Sequence, residues 1–422
     1  MSDDKYFWRI GSPPPSIDRH SQTKHSIVEE YVRQYIRTLM ARANIPELRL
    51  SIIDGFCGGG CYQSQGGLID GSPLLMMRAV REARVYLNHG RRLPRNVNVE
   101  FSFVDISPDT TAHLRHWLDA KREENAIDPL DHAQTEIITS DFIQALPHLI
   151  QKVQKRKMGE HALFVLDQYS YKDIPLPEIA SILRTLRGAE VVMTFNVDNL
   201  TTYLSDRGAN RKSLEKLGLD DYIPWDDLRL IKATQKQEWR QILQRYLAYG
   251  IKCETGAKYM TLFFVKPHGI TSWGYWLIHL SNEYRAHAVM KSLHWEHATE
   301  FGHELEPGIF MLGYNANKDS DYTGQQTFEF SGQGSRDACI NGVQEHFGQT
   351  IFQLDRPIQL AELFKSCVTN STAAENHLME AARQLHTSKN IIIVSKDGTI
   401  KRVNKRYSLT DVIEPSKQII LI

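Results

Sequence analysis

Short apolar segments rich in β-branched residues alternate with amphipathic segments over the first half of the 422-residue chain. The predicted strands are 48–54, 97–106, 137–142, 162–167 and 189–196. Such alternation of strand and helix predicts a doubly wound parallel α/β sheet of the Rossmann type. Two further strands, 259–266 and 275–281, are too close in sequence for a helical crossover. We expect them to pair antiparallel at one edge of the sheet.

The first predicted strand runs directly into a glycine-rich loop. Asp54 ends the strand, and Gly55, Phe56, Gly58 and Gly60 follow it. Glycines let the backbone pass close to a ligand, so the loop is typical of a nucleotide-type pocket or of a tight structural turn. The spacing matches neither a P-loop nor a strict G-x-G-x-x-G.

Each of the first four predicted strands ends in or beside an aspartate: Asp54, Asp105, Asp141 and Asp167. The carboxyl ends of parallel strands line the ligand crevice of an open α/β sheet, although aspartate is also a favoured helix N-cap. We favour a ligand site, with capping as a real role for some members.

Each acid has an expected role in that site. Asp54 would stand near the ammonium of an adenosyl cofactor, Asp105 would accept hydrogen bonds from ribose hydroxyls, and Asp141 with Phe142 would hold adenine. An acid that binds ribose hydroxyls would also suit NAD, so NAD remains an alternative cofactor. The acid after strand four and the terminal antiparallel pair favour S-adenosylmethionine and the seven-stranded sheet of class I methyltransferases.

We predict four segments in the chain. They are an irregular arm at 1–22, the Rossmann-like domain at 23–300 with a helical insertion at about 200–250, an irregular linker at 301–349, and an α+β domain at 350–422. Two helices and a hairpin over 390–403, with its turn at Asp397-Gly398, indicate a winged-helix-like fold for the last segment.

Basic residues cluster on or near that hairpin. They are Lys396, Lys401, Arg402, Lys405 and Arg406. A basic patch is the footprint of nucleic-acid binding, but a solvated basic hairpin has the same composition. Both interpretations stay open at this point.

Composition limits the functional classes. The 50 basic and 50 acidic side chains cancel, so no global field attracts nucleic acid or membranes and any basic surface is local. Five cysteines favour a reducing compartment, and Cys57 with Cys61 indicates loop thiols rather than a metal pair. No apolar run approaches the roughly 20 residues of a membrane span. We therefore expect a soluble, cytoplasmic protein with no membrane partner.

Several motifs in order resemble the three-Cys-motif partner proteins (TcmP). The matching segments are Thr23–His25, Ile53–Tyr62, Gly71–Leu74, Asp167–Leu176 and Tyr275–Trp295. The sequence departs from the family pattern at Cys57 and Gly59, where the family has Ala and Pro, and at Gln168–Ser170. The resemblance implies a methyltransferase-like fold and a radical-SAM-like three-Cys-motif protein as partner.

Other residues could face a substrate at the same edge. Lys24 and His25 begin the matched region and could supply a cation and a transferable proton, although a surface lysine and a capping histidine would look the same. Asp167, Tyr171 and Lys172 would complete a substrate-facing group.

Three functions remain in order of preference. The first is a methyltransferase acting on or near DNA or RNA. The second is a non-catalytic scaffold that binds a protein partner and DNA in an anti-phage defence system. The third is a nuclease that holds magnesium with Asp54, Asp141 and Asp167.

Overall fold

The computed structural model describes the chain over ten segments. They are 6–17, 19–156, 161–167, 174–195, 208–234, 239–265, 275–301, 333–354, 356–368 and 373–416. The chain divides into two compact units. The N-terminal unit comprises Met1–Thr234 and Tyr246–Leu293, and the C-terminal unit comprises Gln235–Arg245 and His294–Ile422.

A seven-stranded sheet forms the centre of the N-terminal unit. Its strands are β1 (Glu47–Asp54), β4 (Asn96–Asp105), β5 (Thr135–Thr139), β6 (Ala162–Leu166), β7 (Ala189–Phe195), β8 (Tyr259–Val265) and β9 (Tyr275–Ser281). The order is β5-β4-β1-β6-β7-β9-β8. The first five of these are parallel, whereas β9 runs antiparallel to both β7 and β8. This confirms the predicted doubly wound sheet with its antiparallel edge.

The described segments up to residue 301 also contain α-helices. They are α1 (Arg19–Leu39), α2 (Ser72–Asn88), α3 (Pro108–Glu123), α4 (Pro129–Ala133), α5 (Phe142–Lys155), α6 (Leu176–Thr185), α7 (Gly208–Leu217), α8 (Trp225–Thr234), α9 (Trp239–Thr255) and α10 (Tyr284–Phe301). The sequence marks several starts: Pro stands in the first turn of α2, α3 and α6, and the Ser107 side chain caps α3. The matching segment Thr23–His25 lies inside α1, which begins four residues earlier at Arg19.

A small hairpin between the glycine loop and α2 is absent from the sequence prediction. It consists of β2 (Cys61–Ser64) and β3 (Gly67–Asp70). The strands are four residues each, too short for periodicity to reveal them. The N-terminal arm extends this hairpin, since Ile17 N donates to Gln63 O and Gln63 N donates to Pro15 O. The arm is therefore docked rather than irregular over these residues.

The C-terminal unit is a small α+β structure. It contains α11 (Gln333–Leu354), β10 (Ile358–Gln359), α12 (Leu360–Val368), α13 (Glu375–Thr387), β11 (Ile391–Val394) and β12 (Val412–Pro415), with strand order β10-β12-β11. The irregular segment predicted at 301–349 is wrong from residue 333 onward, where α11 begins, and 302–332 lie outside the described residues. The winged-helix assignment stays a prediction.

The predicted hairpin over 390–403 is only partly correct. The turn at Asp397-Gly398 forms, with Ser395 N donating to Thr399 O and Gly398 at φ +85°. The strand that pairs with β11 is β12, however, not 399–403. A single bridge joins Val394 to Ile400. The basic residues therefore lie on a long connection between β11 and β12.

No described helix is long and apolar enough to cross a membrane. Within the same residues, no group of three or more His, Cys, Asp or Glu side chains is arranged to hold a metal ion. None of the five cysteines, all of which lie in described segments, forms a disulfide, and Cys57 and Cys61 are buried.

Candidate functional site

Asp54 lies at the carboxyl end of β1, an inner strand of the sheet, and is 1% exposed. Its carboxylate accepts hydrogen bonds from Phe56 N (3.1 Å) and from Ser72 Oγ (2.6 Å). Burial raises the pKa of Asp54 from its ordinary 3.8 to about 7, and the negative charges of Asp167 and Asp105 add to the rise. The negative charges of Asp54, Asp105 and Asp167 therefore repel one another at this edge, and this repulsion favours binding of a cation.

Asp105 supports the glycine loop from the neighbouring strand. Its carboxylate accepts a hydrogen bond from Ser107 N at 2.9 Å, and the backbone N–H of Gly58 also donates to it. Burial raises the pKa of Asp105 in spite of these bonds. Gly58 has φ +61°, a conformation that favours glycine. Asp105 is therefore both a loop support and a carboxylate at the predicted ribose position.

Asp141 has the capping role that the sequence left open. Its side chain accepts hydrogen bonds from Ile143 N (2.9 Å) and Gln144 N (3.3 Å) as the N-cap of α5. Phe142 is 3% exposed and packs beneath the loop, with its ring 6.1 Å from that of Phe56. A Cβ on Gly55 would lie 2.8 Å from Phe142, so this loop position accepts only glycine without a shift of its neighbours.

The structure brings together two predicted substrate-facing residues that are 143 positions apart. Lys24 Nζ lies 2.6 and 2.7 Å from the two carboxylate oxygens of Asp167, and Thr194 Oγ1 donates to Asp167 at 3.1 Å. Their side chains are only 14% and 30% exposed, so solvent screens the ion pair incompletely. Tyr171 and Lys172, predicted beside this pair, lie outside the described residues.

His25 is buried and its ring lies 5.8 Å from that of Tyr62. Burial raises the pKa of Tyr62, and the charges of Asp167 and Asp54 raise it further, so its phenol lies in the field of the acidic edge. The sequence prediction missed Tyr62, although it belongs to the matched segment Ile53–Tyr62. It also missed Ser72 and Thr194 as partners of the two acids.

Trp8 of the N-terminal arm covers the glycine loop, and no local pattern predicts this. Its indole N–H donates to Cys61 O at 2.7 Å, and its ring packs edge-on against Tyr62 with centroids 5.3 Å apart. A Cβ on Gly59 would lie 2.2 Å from Trp8, which explains glycine at that position. The arm therefore forms one wall over the loop.

Trp8→Phe is expected to loosen the arm without unfolding the sheet. The variant loses the indole hydrogen bond, which contributes about 1 kcal/mol. Amide hydrogen exchange at Ile17 and Gln63, which join the arm to the hairpin, should accelerate about fivefold. Ile10→Ala, at an exposed arm position, is the control and should leave both rates unchanged. Unchanged rates in Trp8→Phe would show that Trp8 does not hold the arm.

The predicted nucleic-acid residues divide into three groups. Lys401 forms an ion pair with the buried Asp411 at 2.7 Å, so it is a structural residue. Lys405 and Arg406 line a groove, whereas Lys396 and Arg402 are exposed and do not line it.

No family model matches the sequence, and no curated protein matches it. The search of solved structures finds distant likenesses. A magnesium protoporphyrin IX methyltransferase from Synechocystis PCC 6803 with bound SAM is 12% identical, with 63% of this chain and 85% of that chain covered and a TM-score of 0.26. A putative rRNA-methylase from Clostridium thermocellum is 11% identical, with 63% and 98% covered and a TM-score of 0.28. Likenesses of this size carry no argument for function.

The strand order itself defines the class. Five parallel strands in the order β5-β4-β1-β6-β7, extended by an antiparallel β9 and β8, form the sheet of class I methyltransferases. The glycine loop and the acids Asp54 and Asp105 lie at its carboxyl edge, where open α/β sheets bind ligands. The N-terminal unit is a class I methyltransferase-like Rossmann domain.

Proposed function

We propose that the N-terminal unit is an S-adenosylmethionine-dependent methyltransferase. The amino-acid end of the cofactor would lie on the loop formed by Gly55, Phe56, Gly58 and Gly60, with its ammonium near Asp54. Asp105 would hold the ribose hydroxyls, and Asp141 with Phe142 would bound the adenine. The cofactor is cationic, and it would offset the mutual repulsion of these carboxylates.

The single observation that carries the proposal is the buried position of Asp54 together with its raised pKa. A fully buried carboxylate whose pKa is raised to about 7, with Asp105 and Asp167 contributing to the rise, is a site that a cation would stabilise. Ser72 Oγ and Phe56 N hold the carboxylate in one orientation. A magnesium nuclease is less well supported, because the described residues contain no cluster suited to a metal.

The substrate side would be formed by Lys24, Asp167 and Thr194. The bound cofactor would supply an electrophilic methyl group. Asp167, fixed by Lys24 and Thr194, can accept a hydrogen bond from an N–H or O–H of the methyl acceptor and so orient its lone pair. Lys24 would be a positioning residue, and His25 lies one residue further along the same helix.

Titration of the purified protein with S-adenosylhomocysteine tests the proposal, and its pH dependence tests the role of Asp54. The ammonium of the ligand would pair with the ionised carboxylate of Asp54, whose pKa in the ligand-free protein is about 7. Affinity should therefore fall roughly tenfold from about pH 8 to about pH 6, since binding at low pH must first remove a proton. Calorimetry measures both affinities.

Asp54→Asn is the matched variant because it keeps an acceptor for Ser72 Oγ. It should bind more weakly at about pH 8 and show no titration near neutrality. A wild-type affinity that is independent of pH would remove Asp54 from the site. Absence of binding at any pH would overturn the cofactor assignment itself.

We propose, at a finer level, that the chain belongs with the three-Cys-motif partner proteins and modifies DNA or RNA together with a radical-SAM-like partner. The motifs at Ile53–Tyr62 and Gly71–Leu74 support this, since Ser72 from the second segment binds Asp54 from the first. Co-purification with the partner, and radiolabelled methyl transfer to nucleic acid that requires it, test the two parts separately.

A second candidate is a non-catalytic scaffold that binds a protein partner and DNA, in phage defence. Two observations favour it: Trp8 packs directly on Gly58 and Gly59, and Lys24 already occupies Asp167. This candidate predicts no binding of S-adenosylhomocysteine, whereas measured methyl transfer would exclude it.

A further inference from the structure

A groove of about 540 Å³ opens on the C-terminal unit. Arg383 on α13 forms one side, and the β11–β12 connection forms the other with Val403, Asn404, Lys405 and Arg406. Three of the five lining residues are cations, one is an amide, and none is acidic. The groove joins parts of the chain that are separate in sequence, so the sequence patch alone does not define it.

A buried ion pair fixes the connection that carries the cations. Lys401 Nζ bonds Asp411 Oδ2 at 2.7 Å and donates to Arg406 O at 3.0 Å, and Ser408 N donates to the same Asp411 oxygen at 2.7 Å. Asp411 is 1% exposed. Lys401 therefore sets the position of the Arg406 backbone rather than contacting a ligand.

A second anchor ties the connection to α13. The hydroxyl of the buried Tyr407 lies 2.9 Å from His386 Nδ1, and the guanidinium of Arg383 lies 5.9 Å from the centre of the Tyr407 ring. The connection and α13 are thus held by Lys401, Asp411, Tyr407 and His386, and none of these four side chains lines the groove. The cations are presented on a rigid frame, which reduces the entropy lost on binding.

The charge of the groove is local. The whole chain is neutral, with 50 basic and 50 acidic side chains, yet Arg383, Lys405 and Arg406 are all exposed around one concavity. Across the described segments, Glu380, 3.7 Å from Arg383, is the one acidic side chain that forms an ion pair with any of the three. Like charges repel one another when no ligand is bound, so a polyanion with regularly spaced charges would be stabilised here.

We propose that this groove binds the phosphodiester backbone of nucleic acid. Arg383 and Arg406 would contact phosphates through their guanidinium groups, Lys405 would add a third positive charge, and the Asn404 amide would donate to a phosphate or sugar oxygen. These contacts carry no base specificity. The inference deepens the proposed function by naming the surface that would hold a nucleic-acid substrate. It rests on the proposed function only for the role of the bound nucleic acid as a substrate.

Fluorescence anisotropy with the full chain and a labelled random-sequence DNA duplex tests the inference, with no cofactor present. The triple variant Arg383→Ala, Lys405→Ala, Arg406→Ala should bind at least about tenfold more weakly at low salt. The slope of log affinity against log salt concentration should fall in magnitude by about 3, one for each lost phosphate contact.

The control removes the same charge from the same unit outside the groove. Arg336→Ala, Arg356→Ala, Lys365→Ala should leave affinity and salt slope close to those of the wild type. The double variant Lys405→Gln, Arg406→Gln tests whether a folded protein loses DNA binding. Its thermal unfolding is measured to show that it is folded. Equal losses in the two triple variants, wild-type binding in the groove variant, or competition by poly-glutamate equal to that by DNA would overturn the inference. Because the assay contains no cofactor, its failure is distinct from failure of methyl transfer.

Discussion

Asp105→Ala is expected to weaken S-adenosylhomocysteine binding by about 100-fold or more. Two ribose hydroxyls would donate to this carboxylate, and a hydrogen bond to a charged group contributes about 1.5–3 kcal/mol. Their combined loss of about 3 kcal/mol corresponds to two orders of magnitude in Kd. Asp105 also accepts the Gly58 N–H, so the variant should loosen the loop as well. Calorimetry of the purified protein measures the loss.

Two matched variants separate these effects. Asp105→Asn keeps one oxygen acceptor of the same shape, so it should hold the loop and lose only part of the affinity. Asp119→Ala removes an exposed carboxylate from α3, the helix that follows the same strand, and should bind like the wild type. Near wild-type affinity in Asp105→Ala would exclude the ribose role, and the adenosyl assignment would then depend on Asp54 alone.

The sequence predicts the sheet because the signals for its strands are local. β-Branched runs and helical periodicity mark each βα unit, and the short link between β8 and β9 predicts the antiparallel edge. The same logic places Asp54 and Asp105 at one edge, because parallel strands share their carboxyl ends. These inferences need only the order of the elements.

The site's details depend on contacts between distant residues, which no local pattern encodes. Lys24 contacts Asp167, which is 143 positions away in sequence, and Trp8 contacts Cys61, which is 53 positions away. The sequence favours a ligand role for Asp141 and leaves a capping role open, and the structure shows the cap. The basic residues near the C-terminal turn look equivalent in sequence. Only the fold assigns Lys401 to a buried ion pair and Lys405 to the groove.

A buried cluster of three polar side chains, from α1, β7 and β9, is the clearest example of a contact between residues that are distant in sequence. Glu190 is the second residue of the apolar strand β7, and every residue of this strand is buried. Tyr31 of α1 donates to its Oε2, and His279 Nε2 of β9 lies 3.0 Å from the same oxygen. All three residues are at most 3% exposed. Burial and the nearby charge of Glu190 raise the pKa of Tyr31 well above its ordinary value.

Glu190→Ala is expected to lower the free energy of unfolding by about 3–5 kcal/mol, because it opens a cavity in the core and removes the acceptor that Tyr31 and His279 share. The Tyr31 hydroxyl and His279 Nε2, 3.1 Å apart, keep each other but lose the carboxylate. Glu190→Gln keeps an acceptor and should cost about 1–3 kcal/mol. Urea denaturation followed by circular dichroism measures both, with the exposed Glu123→Ala as a control expected within about 0.5 kcal/mol of the wild type. Glu190→Ala should cost less in a Tyr31→Phe background than in the wild type, because the Tyr31 hydroxyl that loses its carboxylate acceptor is then already gone. Simple additivity of the two single losses would show that Tyr31 and Glu190 do not act as one network.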